Sequence, residues 1–419
     1  MEVLPDMFKS EVNPENITRA ELVVSIPSYN EADSISYPTQ QASEGIAKYF
    51  PGKGAVIINC DNNSPDNTRD AFLETPTKIP KIYISTPPGV KGKGNNFKNL
   101  FQKVVDLKAK AIVVVDADLK SITPNWIKHL GEPLFNDFSY VAPLYVRHKY
   151  DGTITNGIAY PLTRALYGRR IRQPIGGDFG FSGELAKVYL ESPIWDSAVA
   201  NFGIDIWMTT LALNRRVQFC QSFMGRPKVH KPKDPGAALG PMFREVVGTI
   251  FSTMKHFESF WFKVKYSKPT AIFGFGLGEV EMPPKVNVDT QRLSQKFHEG
   301  FDRYKDLFGK ILFKDVFQKL LEIRDMKERV YTFPTDLWAR ILYDMAIGYR
   351  DKVCDPDQMM EALIPLYFGR TLSFVKRTRR MSTLQAEEAI EEDCATFEMS
   401  KPYLIKRWKE GKRAEASSG

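Results

Sequence analysis

Long apolar runs are missing from this chain of 419 residues. None approaches the roughly 18 to 20 consecutive apolar residues that crossing a bilayer requires, which argues against a helical membrane span. The first residues, Met1-Glu2-Val3-Leu4-Pro5-Asp6, lack the basic start and apolar core of a secretory signal. Cysteine is scarce. Cys60, Cys220, Cys354 and Cys394 lie far apart with no Cys-x-x-Cys, so neither a zinc site nor a disulfide framework is suggested. These absences together predict a cytoplasmic protein. No internal repeat is present, which argues against a solenoid or propeller. Strong bias in composition is absent too: 43% hydrophobic and 26% charged residues is ordinary for a globular protein. The net charge is +8, with much of the excess near the C-terminal end. There the basic residues alternate with Glu387-Glu388 and Glu391-Glu392-Asp393 and lack the interleaved aromatics of a nucleic-acid face. A solvated helical surface is the expectation.

What is present centres on Ala111-Ile112-Val113-Val114-Val115-Asp116-Ala117-Asp118. The apolar run reads as a buried strand of a parallel sheet. Two carboxylates one residue apart follow it, at the end of the strand where open α/β sheets bind ligands. Such a pair gains from a divalent cation of the oxygen-preferring kind. An Asp-rich turn explains the same residues without a ligand.

The rest of the first half alternates strands and helices. Further buried strands are expected at 21–27, 55–60 and 81–85, and helices through Tyr49 and over 95–107, which implies a mostly parallel sheet with right-handed crossovers. Polar turns follow the strands: Ser28-Tyr29-Asn30-Glu31 after the first, and a loop from Asp61 to Thr68 after the second. Gly92-Lys93-Gly94 leads into a helix. Glycines allow close approach, the helix start favours an anion and the lysine adds a full charge; a glycine turn with a surface lysine is an equally good account. It lacks the spacing of a P-loop. Downstream come a helix over 126–135, a strand over 140–147 and a helix over 159–167. A glycine-rich stretch from Gln173 to Gly183 contains Asp178, and Asp205 lies in the first turn of another helix, where favouring the helix dipole is the alternative account. His230 sits in a loop rich in lysine and proline. Beyond Gly240 amphipathic helices dominate. The domain boundaries expected are a lead-in over 1–20, an α/β domain over 21–242, a helical region over 243–382 and a charged helical tail over 383–419.

In their order, Pro27-x-Tyr29-Asn30-Glu31, the Asp61 loop, Gly92-Lys93-Gly94, Asp116-Ala117-Asp118, Gln173-Pro174-x-Gly176-Gly177, Gly203-Ile204-Asp205 and His230 resemble nucleotide-sugar-dependent glycosyltransferases of the GT-A fold. More narrowly they resemble the retaining enzymes that glycosylate glycerate or 3-phosphoglycerate: the mannosylglycerate, glucosylglycerate and glucosyl-3-phosphoglycerate synthases. The resemblance implies a Rossmann-like α/β domain with a C-terminal helical appendage. It also implies a hexose donor such as UDP-glucose or GDP-mannose, and Mg²⁺ or Mn²⁺ held by Asp118 and His230 with Asp116 nearby. Donor contacts would come from Pro27, Tyr29, Glu31, Asp61, Lys93, Asp116, Ala117, Gly176 and Gly177. Asp205 and Asp178 would lie at the reacting centre.

For the acceptor, the resemblance points to Arg147 and Thr155, with Thr153 and Asn156 between and beside them. A guanidinium fork matches a carboxylate bidentately. The phosphoglycerate enzymes carry an extra arginine near position 153, where this chain has Thr153, so glycerate is the expected acceptor and 3-phosphoglycerate the alternative. Arg169, Arg170 and Arg172 keep that alternative open. An inverting polysaccharide synthase would need membrane spans and a Gln-x-x-Arg-Trp motif, of which only Lys406-Arg407-Trp408 is present. A non-catalytic protein that binds sugar nucleotides or RNA is the remaining class. The apolar helical end is a candidate surface for a homo-oligomer.

Overall fold

The computed structural model describes residues 10–229, 235–274 and 281–417. The chain divides into two compact units. The first comprises Met1–Arg147, Gln173–Pro235 and Thr270–Pro283; the second comprises His148–Arg172, Gly236–Pro269 and Pro284–Gly419. The segment 148–172, expected within the α/β domain, therefore groups with the helical part, and so does the C-terminal tail.

In chain order the first unit begins with β1 (Ser10–Val12), β2 (Leu22–Ser28), α1 (Ser36–Tyr49), β3 (Ala55–Asp61), α2 (Thr68–Glu74), β4 (Lys81–Ser85) and α3 (Lys93–Asp106). It continues through β5 (Ala111–Val114), α4 (Pro124–Gly131) and β6 (Tyr140–Leu144). After an excursion that carries α5 (Tyr160–Tyr167) of the second unit come β7 (Phe179–Ser182), α6 (Gly183–Leu190), α7 (Ile204–Asn214) and β8 (Phe219–Phe223). The short strand β9 (Ala271–Phe273) completes it.

These strands form one sheet in the order β1-β4-β3-β2-β5-β7-β6-β8-β9. β2 lies parallel between β3 and β5, with Val24 opposite both Ile57 and Val113. Every residue of β2 and β5 is buried, as expected for strands covered by helices on both faces. On one face Val24, Ile26 and Val113 pack with Ile46 of α1 and with Trp126 and Leu130 of α4. On the other, Phe101 of α3 meets Phe181 and Tyr189 at ring distances of 5.8 and 5.1 Å.

Two strands depart from the parallel pattern for local reasons. β7 runs antiparallel to both β5 and β6, although its sequence, Phe-Gly-Phe-Ser, carries a weak strand signal. Gly180 explains the composition: a Cβ there would lie 2.4 Å from the backbone oxygen of Leu130, so α4 crosses β7 too closely for any side chain. β1 falls in the polar lead-in and pairs antiparallel with β4, a short edge strand whose pairing is not set by an apolar pattern.

The second unit is helical. After α5 it contains α8 (Pro235–His256), α9 (Glu258–Trp261), α10 (Thr290–Ile311), α11 (Lys314–Arg324), α12 (Thr335–Arg350), α13 (Pro356–Thr378) and α14 (Thr383–Ser417). Helix pairs α10–α13, α12–α14 and α5–α14 pack against each other. The indole N–H of Trp338 donates to the Gly157 carbonyl at 2.8 Å. Many of the C-terminal charges are exposed, as expected of a solvated surface, Arg379, Arg380, Glu388, Glu392, Lys406 and Lys409 among them, but several of the acids also pair with arginines of this unit. Asp393, 6% exposed, binds Arg370 and Arg377 at 2.7 Å each, Glu391 and Glu398 hold Arg164, and Glu387 holds Arg172 at 2.8 Å. Alternating signs near the chain end thus supply pairing partners as well as an exposed charged surface. Among the described residues no helix is long and apolar enough to cross a membrane.

Candidate active site

At the C-terminal end of β5 the chain turns polar within two residues. The Val115 amide still donates to Ser25 at 3.0 Å, extending the pairing with β2. The next amide, of Asp116, donates instead to the Asp178 carboxylate at 2.9 Å. This switch turns the strand end towards the stretch that precedes β7.

Two lysines fill the space so defined. The Lys93 ammonium, at the start of α3, lies 3.1 Å from Asp116 and 3.3 Å from Asp205 in the first turn of α7. The Lys228 ammonium, beyond β8, lies 2.8 Å from both Asp116 and Asp178 and donates to the Gly176 carbonyl at 2.8 Å. Tyr145 closes the far side, its hydroxyl donating to Asp178. Gly177 adopts φ +84°, and a Cβ there would lie 2.6 Å from the Asp116 carboxylate and 2.7 Å from the Lys228 nitrogen. Only glycine suits both its backbone and its proximity to the ion pair.

The cluster is shielded. Asp178 is fully buried, Asp205 is 9% exposed, and the Lys228 side chain is 2% exposed. Burial opposes charge on Lys93, but Asp116 and then Asp205 over-compensate and raise its pKa above the ordinary lysine value. Lys228 behaves alike: burial opposes its charge, while Asp116 and Asp178 raise its pKa. Burial raises the Asp205 pKa, with Lys93 acting against it. Three carboxylates against two ammonium groups leave an excess of negative charge in a water-poor site, an arrangement suited to receiving a further cation.

Asp118 lies next along the turn and is 3% exposed, while Ala117 between the two acids is 4% exposed. The turn is tied to the chain beyond β8: the Lys120 amide donates to the Val229 carbonyl at 2.9 Å, and the Val229 amide to the Ser121 hydroxyl at 2.9 Å. His230, the residue after Val229, lies outside the described residues. Among those described, no group of three or more His, Cys, Asp or Glu side chains is placed to hold a metal ion. The donor chemistry divides the expected ligands. Asp116 has one oxygen on each lysine, so it suits the role of charge-holder. The Asp118 carboxylate, at the same strand end, fits an oxygen-preferring ion.

The turn after β2 packs on the Asp61 loop. Asp61, 1% exposed, accepts from the Ser28 hydroxyl at 2.7 Å, the Ser64 amide at 2.6 Å and the Tyr83 hydroxyl at 3.0 Å. Its carboxylate therefore organises the loop, with its oxygens already engaged. Glu31 accepts from the Ser34 hydroxyl, and its amide donates to Thr68 at 2.9 Å. Pro27 is buried within β2, and the Lys91 ammonium sits 4.8 Å over the Tyr29 ring. The helix-start reading of Gly92-Lys93-Gly94 is corrected in part. The amides of Gly94 and Asn95 donate to the carbonyls of Asn201 and Ala200 at 3.2 and 3.1 Å, so those donors serve the fold. The contribution of this turn to the cluster is the Lys93 charge.

Arg147, the last residue of the first unit, holds its guanidinium 5.2 Å over the Tyr145 ring, and Lys228 lies 5.3 Å over the same ring. Thr153, Thr155 and Asn156 belong to the second unit. There Thr153 bonds the Tyr367 hydroxyl, Thr155 is 3% exposed in a π-helical turn, and Asn156 accepts from Arg172 at 2.8 Å. Arg172 is itself committed to Glu387. Lys228 and Tyr145 were not singled out by sequence reasoning. Lysine is rarely buried, and the only available signal was the position of Lys228 two residues before His230.

Residues 23–186 match the family model of glycosyl transferase family 2. The match runs from β2 into α6 and takes in Lys93, Asp116, Asp118 and Asp178. The mixed, mostly parallel sheet with helices on both faces is the GT-A glycosyltransferase fold. Among curated proteins, none matches the chain significantly. Solved structures similar to it include glucosyl-3-phosphoglycerate synthase from Mycobacterium tuberculosis in complex with Mn²⁺, UDP and glucosyl-3-phosphoglycerate. It is 20% identical over 56% of this chain and 79% of that chain, with a TM-score of 0.45. The same protein with Mg²⁺ and UDP gives the same values. A further mycobacterial protein is 23% identical over 56% of this chain and 74% of its own, with a TM-score of 0.43.

Proposed function

We propose that the chain is a glycosyltransferase that moves a hexose from a nucleoside-diphosphate sugar to the 2-hydroxyl of D-glycerate with retention at the anomeric carbon. The observation that carries this reading is the Lys93–Asp116–Lys228–Asp178 cluster at the C-terminal end of β5. Lys93, Asp116 and Asp178 stand inside the segment that matches a glycosyltransferase family, Lys228 joins them from beyond it, and the cluster lies at the strand end where such sheets bind ligands. Asp118 and His230 would hold Mg²⁺ or Mn²⁺, and that ion supplies neutralising charge to the departing nucleoside diphosphate.

The chain's own residues account for the rest. Lys93 keeps its proton under all ordinary conditions because Asp116 and Asp205 hold it, and it would face the diphosphate as a fixed positive charge. Asp205, the more exposed of the two acids expected at the reacting centre, would accept hydrogen bonds from sugar or acceptor hydroxyls. Asp178 is engaged by Tyr145, Lys228 and the Asp116 amide. That engagement supports a positioning role and disfavours a nucleophile for double displacement, so retention would proceed by attack from the face the leaving group departs. Arg147 would grip the acceptor carboxylate.

The experiment is a product assay with UDP-glucose and GDP-mannose as donors, and glycerate and 3-phosphoglycerate as acceptors, in Mg²⁺ or Mn²⁺. An α-linked hexosylglycerate, read from the anomeric proton coupling, is the expected product. Preference for 3-phosphoglycerate would overturn the acceptor, a β-linked product the stereochemistry, and absence of transfer with every pair the activity.

A further inference from the structure

The second unit contains a cavity whose chemistry has no part in the reaction proposed above. It lies where the end of α13 and the start of α14 meet the segments 148–150 and 285–290, and its volume is about 730 Å³. That is the size range of sites for small ligands, roughly 300 to 1,000 Å³. Lys149, Lys285, Lys376 and Arg379 line it, and Glu328 is the one carboxylate among its described lining residues.

Four arginines elsewhere in this unit make the contrast. Arg164, Arg172, Arg370 and Arg377 each meet a carboxylate within 4.0 Å. Among the described residues, none of the four cations of the cavity does. Two of them are fixed by neutral partners instead. The Lys149 ammonium donates to the carbonyls of Thr378 and Met381 at 2.8 and 2.6 Å, and Lys376 donates to the carbonyl of Glu328. Carbonyl partners orient an ammonium group without cancelling its charge. The positive field is felt locally: burial, and then Lys149 and Lys285, lower the His148 pKa against the opposing pull of Asp151. Four like charges against a single carboxylate repel one another, and a bound anion relieves the repulsion.

We propose that this cavity binds a small phosphate-bearing anion. The hydroxyls of Ser382 and Thr383 line it beside the cations, as phosphate oxygens require. Arg379 also lines an adjoining recess of about 410 Å³ with Arg377 and Arg380, so the positive surface is long enough for two phosphate groups. A concave site of this volume favours a small ligand over nucleic acid, which needs an extended basic track with stacking aromatics. The inference goes beyond the transferase reading and does not depend on it.

The test is titration of the full chain with inorganic pyrophosphate in EDTA at about 0.15 M salt, by calorimetry, with no sugar nucleotide present. The wild type is compared with Lys285→Gln/Arg379→Gln, two exposed positions whose replacement leaves the packing intact. Saturable binding weakened at least ~10-fold in the double variant, the scale of losing a charge-assisted contact, supports the site. Absence of binding to the wild type overturns it, and so does equal binding to both proteins. Binding of a single-stranded RNA that pyrophosphate does not displace would overturn the small-ligand assignment.

Discussion

Among the described residues, replacing Lys228 by methionine removes the cation that touches both Asp116 and Asp178, at 2.8 Å from each. Methionine keeps most of the volume, so the perturbation is electrostatic. Asp116 retains Lys93, and Asp178 retains the Tyr145 hydroxyl and the Asp116 amide. Asp178 is fully buried and, among the described residues, is left without an ammonium group in direct contact. Breaking a buried pair by removing one partner costs about 3 to 5 kcal/mol, and the retained hydrogen bonds place this case near about 3 kcal/mol. The pH dependence carries a sign. In the wild type the Lys228 pKa is raised, so its stabilisation is complete below the ordinary lysine range and disappears only as pH rises through the raised value. In the variant a buried carboxylate has lost its contacting ammonium group, and burial disfavours its ionised form. The variant's stability therefore falls as pH rises from the acidic range towards neutrality. Urea unfolding followed by tryptophan fluorescence, with Trp126 in the core of the first unit, should show the gap to the wild type widening from pH 4.5 to pH 7.5. Adding Asp178→Asn to the variant should recover part of the loss. A gap below about 1 kcal/mol at pH 7.5, or one independent of pH, would refute the cluster as a buried charge network.

Other outcomes follow from the same geometry. Asp118→Ala or His230→Ala should each lower the transfer rate at least ~100-fold, the scale of losing a major charge stabiliser; full activity of either variant in EDTA would remove the metal assignment. Arg147→Ala should reduce kcat/KM for the acceptor roughly 30- to 1000-fold and leave the donor KM nearly unchanged, as steady-state kinetics with each substrate varied would reveal. In the second unit, burial pushes the Asp344 pKa up to about 7, against hydrogen bonds from the Phe313 amide and the Tyr403 hydroxyl. A carboxyl raised in this way contributes stability at low pH that is lost as pH rises through about 7. Thermal unfolding should show Asp344→Asn gaining on the wild type between pH 5 and pH 8, and a constant difference would refute the shift.

Much of the sheet was legible because its strands are buried on both faces. Val23-Val24 in β2 and Ile112-Val113-Val114 in β5 leave no polar alternative, and their order with intervening helices dictates parallel pairing. β7 was not legible, because its glycine is required by the backbone of α4 crossing above it, a tertiary reason that no local pattern contains. The acidic block at 387–393 was legible as helix and as surface at Glu388 and Glu392, but not in the pairing of its other acids. Its partners Arg172, Arg164 and Arg370 lie far away in sequence, and local alternation of sign does not reveal where opposite charges will meet.

The site divides along the same line. Asp116 and Asp118 stood out because two acids at a strand end require an explanation. The sequence offered a cation without saying which one, and for Asp116 the structure supplies two lysines far apart in the chain, Lys93 and Lys228. This alters the chemistry expected of the pair. An acid already bridging two ammonium groups is a poor direct metal ligand, since a divalent ion would have to displace one of them from a buried pair. It is instead well placed to hold both lysines protonated and aimed. On the proposed function Asp118, next but one in the chain, would then carry the metal demand with His230. One motif would thus divide its labour between fixed charge and exchangeable charge, and Asp116→Asn tests the division. It should leave metal affinity, measured by calorimetry with Mn²⁺ and UDP, within about threefold of the wild type, because a charge-holder two residues away acts on the ion only at a distance. It should still impair transfer strongly, because Lys93 and Lys228 lose a common partner. Loss of Mn²⁺ binding on the scale of Asp118→Asn would return Asp116 to the ligand set.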